Sequence, residues 1–212
     1  MNMKLLIIGG TGGTGKELIN QALEAGHEVT ALVRHSDRLR IANPRLKIVR
    51  GDVLLYQDVF NAVEGQDAVL SALGHKKFFL PTSILSVGTR NLIRAMETHG
   101  VKRFICITAL GVGNSRFKLG IYYSLFLIPL MLLFYFLDKE RQEKLIKAST
   151  LDWTIVRPAQ LFNGKLRSKY KVGATVGNYF FTLLISRADV AHFMLSQLAD
   201  TTWLRKSPGI AR

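Results

Sequence analysis

The chain has 212 residues, of which 48% are hydrophobic and 21% charged. That balance excludes a disordered polymer, and the length suits one large domain with a substantial core. The net charge of +14, from 29 basic and 15 acidic residues, points to an anionic ligand, an acidic partner or a negatively charged membrane surface, or else to a cationic surface with no specific target.

In chain order, Lys4–Ile8 reads as a short, fully buried strand that runs into Gly9-Gly10-Thr11-Gly12-Gly13-Thr14-Gly15 and then into the helical pattern Lys16–Ala25. A strand, a glycine turn and a helix in that order hold a dinucleotide pyrophosphate. The spacing of Gly9, Gly12 and Gly15 is a variant of the Rossmann fingerprint. Gly9 permits the turn, Gly12 lets backbone approach the phosphates and Gly15 lets the helix pack on the sheet. Unpaired N–H groups at the helix start face the anion. Thr11, Gly13 and Thr14 belong to the same cradle.

Gly26 follows the helix as its C′ residue, and strands are expected at Val29–Val33 and Leu46–Val49. A short helix, Asp58–Glu64, precedes a fourth strand, Ala68–Leu73. Ser83–His99 is helical and stops at Gly100. Phe104–Thr108 is a fifth strand and includes the lone cysteine, Cys106, which reads as a core residue rather than a nucleophile. With one cysteine no intrachain disulfide forms, which fits a reducing compartment. Asp138–Ser149 is a charged helix, Thr154–Val156 a sixth strand, and Asp189–Leu198 a final helix with Asp189 favourably near its start. Residues 163–180 are less regular and have room for a short extra strand. Thr201–Arg212 is polar and is expected to fray. The alternation of strand and helix predicts an α/β fold: a Rossmann-like, doubly wound parallel sheet in a single domain. Residues 1–200 form that domain with its substrate pocket, and residues 201–212 a tail.

Leu119–Leu137 is a run of nineteen residues without a charge. It approaches the roughly 20 apolar residues of a membrane span, but a span there would split the fold. A helix on a membrane surface, helped by Arg116 and Lys118, is a second reading. A hydrophobic lid or pocket wall is the third and preferred one, with Pro129 kinking or starting a helix.

The end of the second strand selects the cofactor. An NAD site usually places a carboxylate there, to bind ribose hydroxyls. Here Arg34 holds that place and Arg38 follows one helical turn later. A guanidinium pairs with a 2′-phosphate, so NADP(H) is expected. Asp37 is the counter-argument, three residues late and able to pair with an arginine instead. Further along, Asp52 is placed to accept from the adenine amino group, with Val53 against the ring. Leu73-Gly74-His75 ends the fourth strand, where a small residue lets the chain pass close to the cofactor. The five histidines (His27, His35, His75, His99, His192) lack metal-ligand spacing, so no metal is expected. The short apolar N-terminal run leads straight into the glycine turn and does not read as a signal peptide, so a cytoplasmic location is expected.

These residues, together with G-Q-D-A-V at 65–69, L-D-W-T-I-V-R-P at 151–158 and R-A-D-V-A-H-F-M-L at 187–195, resemble the atypical, NmrA-like short-chain dehydrogenase/reductases, and most of all their biliverdin-IXβ reductase/flavin reductase branch. The resemblance covers nearly the whole chain and is weakest over residues 112–137, where the family is more polar. It implies a monomeric NADPH-dependent oxidoreductase that passes hydride to a flat conjugated acceptor, a flavin such as FMN or a biliverdin-type tetrapyrrole, without a nucleic-acid partner. By position, Gly9, Thr11, Gly12, Gly13, Thr14 and Gly15 would hold the pyrophosphate. Arg34 and Arg38 would take the 2′-phosphate, and Asp52 and Val53 the adenine. Leu73 and Gly74 would lie along the ribose and nicotinamide. Thr108 stands for a family serine beside the nicotinamide and is the catalytic candidate. Pro158, Ala159, Gln160 and Leu161 match the segment bordering nicotinamide and substrate. Gln160 replaces a histidine, so no imidazole proton donor is available there.

Tyr135 and Lys139 have the Tyr-x-x-x-Lys spacing of ordinary short-chain dehydrogenases. An interfacial tyrosine and a solvated lysine is the preferred reading of the pair. Reduction of a flavin or tetrapyrrole needs alignment within about 3–3.5 Å, and water can supply the proton. Phe78, Phe79 and the 119–137 segment are candidates for the pocket wall, with Lys76, Lys77 and Arg116 at its mouth. The competing reading is a non-catalytic NADP(H)-binding sensor or assembly factor, with peripheral membrane contact as a further alternative.

Overall fold

The computed structural model describes residues 2–75 and 80–212. The chain starts with β1 (Lys4–Ile8). Its side chains alternate between two cores: Leu5 and Ile7 enter one, Leu6 and Ile8 the other. A strand apolar on both faces must sit inside a sheet covered on both sides. Burial of each such side chain stabilises by about 1.5–3 kcal/mol.

The elements follow as α1 (Gly13–Glu24), β2 (Glu28–Val33), β3 (Leu46–Arg50), α2 (Tyr56–Val63), β4 (Ala68–Ser71), α3 (Ile84–His99) and β5 (Arg103–Ile107). After a π-helix, Tyr123–Leu132, come α4 (Leu133–Ala148), β6 (Asp152–Pro158), β7 (Gln160–Phe162), β8 (Lys171–Gly173), β9 (Leu184–Ser186), α5 (Arg187–Ser196) and β10 (Gly209–Ala211). The main sheet runs β3-β2-β1-β4-β5-β6-β10-β8, and β7 pairs with β9 separately. Every pairing is parallel except β10 with β8. Leu18 of α1 and Val190 of α5 pack into one core, and Val59 of α2, Leu92 of α3 and Ile146 of α4 into the other. The sheet is therefore doubly wound, as the alternation predicts.

Two departures from the sequence expectations, and one helix cap that the sequence does not reveal, have physical causes. The fourth strand stops at Ser71, not Leu73; Ala72 N–H still donates to the Ile8 carbonyl, and the chain then turns away from the ladder. Helix α3 begins beside Ser83, as expected, but Ser83 makes no side-chain cap bond. The cap comes from α4, whose buried Asp138 accepts from the N–H groups of Leu85 at 2.9 Å and Ser86 at 3.2 Å, where a carboxylate satisfies orphan donors. The second departure concerns the tail, expected to fray. Its residues 209–211 instead form β10, inserted between β6 and β8, with Ile210 fully buried. Flanking polar residues hide this strand, because its three residues are too few to show a period.

Over residues 121–137 the chain is helical. The π-helix widens the turn around Pro129, which relieves the clash of the ring with the preceding turn. Among the described residues, no helix is long and apolar enough to cross a membrane.

A buried ion pair joins α4 to β6. Arg157 and Glu143 are each 2% exposed, and two guanidinium nitrogens of Arg157 meet the two Glu143 oxygens at 2.8 and 2.5 Å. Lys147 adds a contact at 3.0 Å. Burial alone raises the Glu143 carboxyl, but hydrogen bonds and attraction from Arg157, with Lys147 adding, hold it below the usual carboxylate range. The stabilisation is therefore full above the ordinary glutamate value and is lost as pH falls through the lowered one.

Two stability measurements follow. Ile210→Ala is expected to lower the urea unfolding free energy by about 2–5 kcal/mol, whereas a frayed tail would change it by under about 0.5 kcal/mol. Glu143→Gln is expected to cost about 3–5 kcal/mol at neutral pH by leaving Arg157 buried and unpaired. Thermal unfolding of both proteins against pH should show that gap narrowing below the ordinary value of 4.5.

Candidate nucleotide site

The sheet order reverses between β1 and β4, and a crevice at such a switch point opens at the carboxyl ends of the strands. The turn after β1 approaches β4 so closely that side chains do not fit. A Cβ on Gly9 would lie 2.5 Å from the Ala72 carbonyl oxygen, and Gly9 has a φ of +81°, where L side chains are strained. A Cβ on Gly15 would lie 2.1 Å from the Gly9 carbonyl oxygen. Gly15 thus packs the helix onto the turn itself. Gly12 N–H donates to that same Gly9 carbonyl at 2.9 Å.

Helix α1 starts at Gly13, three residues earlier than the apolar pattern suggests, with Gly12 as its N-cap and no acid in the first turn. Thr11, Gly12 and Gly13 are exposed and Thr14 is buried. The first N–H groups of the helix have no intrahelical partner, and the helix end is electropositive. A pyrophosphate fits this cradle. Arg187, at the start of α5, lies beside it: a Cβ on Gly13 would meet its side chain at 2.6 Å, and its guanidinium donates to Asn163 at 2.9 Å. The sequence held no signal for Arg187, because it comes from the far end of the chain.

Next to the turn a cleft is lined by Gly9, Thr11, Arg34, Asp52, Val53, Leu73 and Gly74, with Ile8, Leu32, Val33 and Ile84 completing it. These seven site candidates come from four strand ends. Arg34 is exposed at the end of β2. Arg38 lies in an adjoining depression with Thr11, Lys16, Asn20, Asp37, Arg40 and Ile41. Among the described residues, no ion pair within 4.0 Å uses Arg34, Arg38 or Asp37. Asp52 is held in place: its N–H donates to Asp58 at 2.8 Å, and its Oδ1 accepts from Leu54 N–H at 3.0 Å. Gly88 of α3 lets Val53 and Leu73 pack against the helix, since a Cβ there would meet them at 3.0 and 3.1 Å.

The other end of the cleft is Gly74. A Cβ there would lie 3.6 Å from the Tyr135 hydroxyl. The Lys139 ammonium sits 5.0 Å from the Tyr135 ring centre, and Lys139 is only 2% exposed. The expectation of a solvated lysine is therefore corrected: α4 turns this side chain inward. His75 stacks edge-on against Tyr135 at 4.9 Å and meets Thr82 at 3.0 Å.

Thr108, just beyond β5, is buried, and its hydroxyl donates to Glu143 Oε1 at 2.9 Å. Pro158 ends β6, Ala159 is buried behind it, and Gln160 and Leu161 start β7. Those four leave the same sheet edge as the cleft but do not line it. Lys76, Lys77, Phe78 and Phe79 lie outside the described residues. Cys106 is fully buried, and burial pushes its thiol up to about 12, so it is no nucleophile at neutral pH.

A glycine turn and cleft at the switch point are the features of a dinucleotide-binding sheet, and comparison with known proteins supports a nucleotide-binding family. Over 171 residues the chain is 34% identical to a chloroplastic Arabidopsis thaliana protein, At2g34460, covering 76% of this chain and 60% of that one. It is 28% identical over 169 residues to the photosystem II assembly factor Ycf39 of Synechocystis, covering 76% and 46%. The chain thus spans less than two thirds of the length of these relatives. The structure of ChuY, an anaerobillin reductase from Escherichia coli O157:H7, superposes with a TM-score of 0.79 at 23% identity, over 98% of this chain and 96% of that one; it shares the fold. The model of the NAD(P)H-binding family matches residues 9–201, so the chain, which has the Rossmann fold of NAD(P)-dependent oxidoreductases, belongs to that family.

Proposed function

We propose that the protein is an NADPH-dependent reductase that passes hydride to a planar conjugated acceptor, a flavin such as FMN or a biliverdin-type tetrapyrrole. The observation that carries this reading is the cleft at the switch point, which runs from an exposed arginine at the end of β2 to a glycine at the end of β4. The reductase name of the ChuY neighbour supports the acceptor class.

The nicotinamide, when bound, supplies the hydride. Thr11, Thr14 and the N–H groups of Gly12, Gly13 and Gly15 would hold the pyrophosphate, with Gly9 keeping the turn tight. Arg34 and Arg38 would grip the 2′-phosphate by charge-assisted hydrogen bonds. Asp52 has its Oδ1 engaged with Leu54, and its other oxygen would accept from adenine, with Val53 against the ring. Leu73 and Gly74 would border the ribose and nicotinamide. Thr108, with Pro158, Ala159, Gln160 and Leu161, would bound the acceptor side. Alignment does most of the catalysis, and water delivers the proton.

A second reading of the proton source has its own observation. Tyr135 places its hydroxyl next to Gly74, and the buried Lys139 backs the ring. In that reading the phenol gives the proton to the reduced acceptor. The competing function is the one named for the Synechocystis relative: an assembly factor, binding nucleotide without turnover.

Purified protein given NADPH with FMN or biliverdin should lose absorbance at 340 nm, and neither flavins, biliverdin nor quinone-like dyes doing so would overturn the enzyme reading. Arg34→Ala should weaken NADPH binding by about 10- to 150-fold, the loss of one or two charged hydrogen bonds, while NADH binding stays nearly constant. Equal weakening refutes the phosphate role. Tyr135→Phe separates the proton sources. Unchanged turnover assigns the proton to water, and a fall of about 10²–10⁴-fold assigns it to the phenol.

A further inference from the structure

One face of the molecule departs from an ordinary protein surface. The ten-residue π-helix has no buried residue and no charge. Tyr123, Ile128 and Leu132 rest against the core, but the opposite side is apolar too: Leu130 is 74% exposed. A helix that is hydrophobic all round belongs in an apolar environment on both sides.

The face extends beyond the helix. In the connection between β7 and β9, Phe180 and Phe181 are 72% and 73% exposed. They are held outward by a fixed turn, because Asn178 Oδ1 accepts from their N–H groups at 2.8 and 3.0 Å. This turn is tied to the segment that leads into the π-helix. Asn178 N–H donates to the Lys118 carbonyl at 2.9 Å, and the Thr182 hydroxyl to the Leu119 carbonyl at 3.0 Å. The aromatic turn and the apolar helix therefore form one continuous patch. Between that helix and the Gly111 turn, a mainly apolar cavity of about 340 Å³ is walled by Phe117, Ile128, Pro129, Leu133 and Phe136, with Arg116, Ser124 and Glu140 also lining it.

Charge identifies what covers the patch. No acidic residue occurs between Glu97 and Asp138 or between Asp152 and Asp189, the two stretches that supply it. The connection that carries the aromatic turn also carries Lys165, Arg167, Lys169 and Lys171, all exposed. Arg116, 65% exposed, stands beside the helix and pairs with Glu140 of α4 at 3.1 Å. A margin in which four exposed cations face one acid, Glu140, itself paired with Arg116, around an exposed apolar and aromatic surface is complementary to lipid headgroups over acyl chains.

We propose that this face docks the protein on an anionic lipid bilayer, with the π-helix and the Phe180–Phe181 turn inserted at the headgroup boundary and the cationic connection on the headgroups. The cavity under the helix gives an acyl chain a place to enter. The proposal rests on this face alone and does not depend on turnover at the nucleotide cleft.

Flotation of the full chain with vesicles of phosphatidylcholine alone, and of phosphatidylcholine mixed with phosphatidylglycerol, tests it. Binding is expected to the mixed vesicles, to weaken with added salt and to be slight on neutral lipid. The double substitution Leu130→Asp with Phe180→Asp removes two exposed apolar groups and should lower vesicle affinity at least about tenfold, with NADPH binding and the thermal midpoint unchanged. No binding to mixed vesicles at low salt overturns the proposal, as does a double variant that floats as well as the parent. So does a lipid-free dimer that the same substitutions dissociate, since the patch would then be a contact between two copies.

Discussion

Where β1 and β4 leave the sheet, two backbones pass with no space for a side chain between them. A Cβ on Gly9 would sit 2.5 Å from the Ala72 carbonyl oxygen, and one on Gly15 2.1 Å from the Gly9 carbonyl oxygen. Everything in the nucleotide site hangs on this close approach. It sets the start of α1 at Gly13 and aims the electropositive helix end at the open edge of the sheet. It also turns Leu73 and Gly74 out of the ladder into the cleft. The lining of the cleft comes from the ends of four strands, and this crossing places those ends together.

The second layer of the site is held by buried charge. Asp138 caps α3, while Arg157 and Glu143 clamp α4 to β6 and Thr108 joins the clamp. A buried charge is tolerated only when paired and hydrogen-bonded, so these contacts fix the position of α4 as well as contributing stability. Because α4 follows directly from the π-helix, the clamp also sets where Tyr135 stands against Gly74 and which side of the apolar segment faces outward. Nucleotide cleft and apolar face are thus two ends of one mechanical arrangement.

Local pattern carried much of this fold in plain view. Apolar runs gave all six of the first strands to within two residues at each end, since a parallel strand buried on both faces has a contiguous apolar composition. The glycine spacing gave the turn, and the arginine at the end of the second strand gave the electrostatic preference. Elements whose identity depends on partners stayed hidden. β10 is three residues long and exists because β6 and β8 present unpaired edges on either side of it. Arg187 reaches the glycine turn only through the packing of α5 on α1. Lys139 reads as a solvated charge because its neighbours Asp138 and Glu140 are charged, yet the helix carries Asp138 and Lys139 inward and leaves Glu140 half-buried against Arg116.

By itself, the amino-acid sequence determined a doubly wound sheet and a dinucleotide turn, because apolar period, glycine and strand-end charge act within a few residues of one another. Tertiary structure decided which distant groups share a site: Tyr135 with Gly74, Glu143 with Arg157, the aromatic turn with the apolar helix. Those pairings are set by sheet order and helix packing, forces that operate between residues far apart in the chain and leave no local signature.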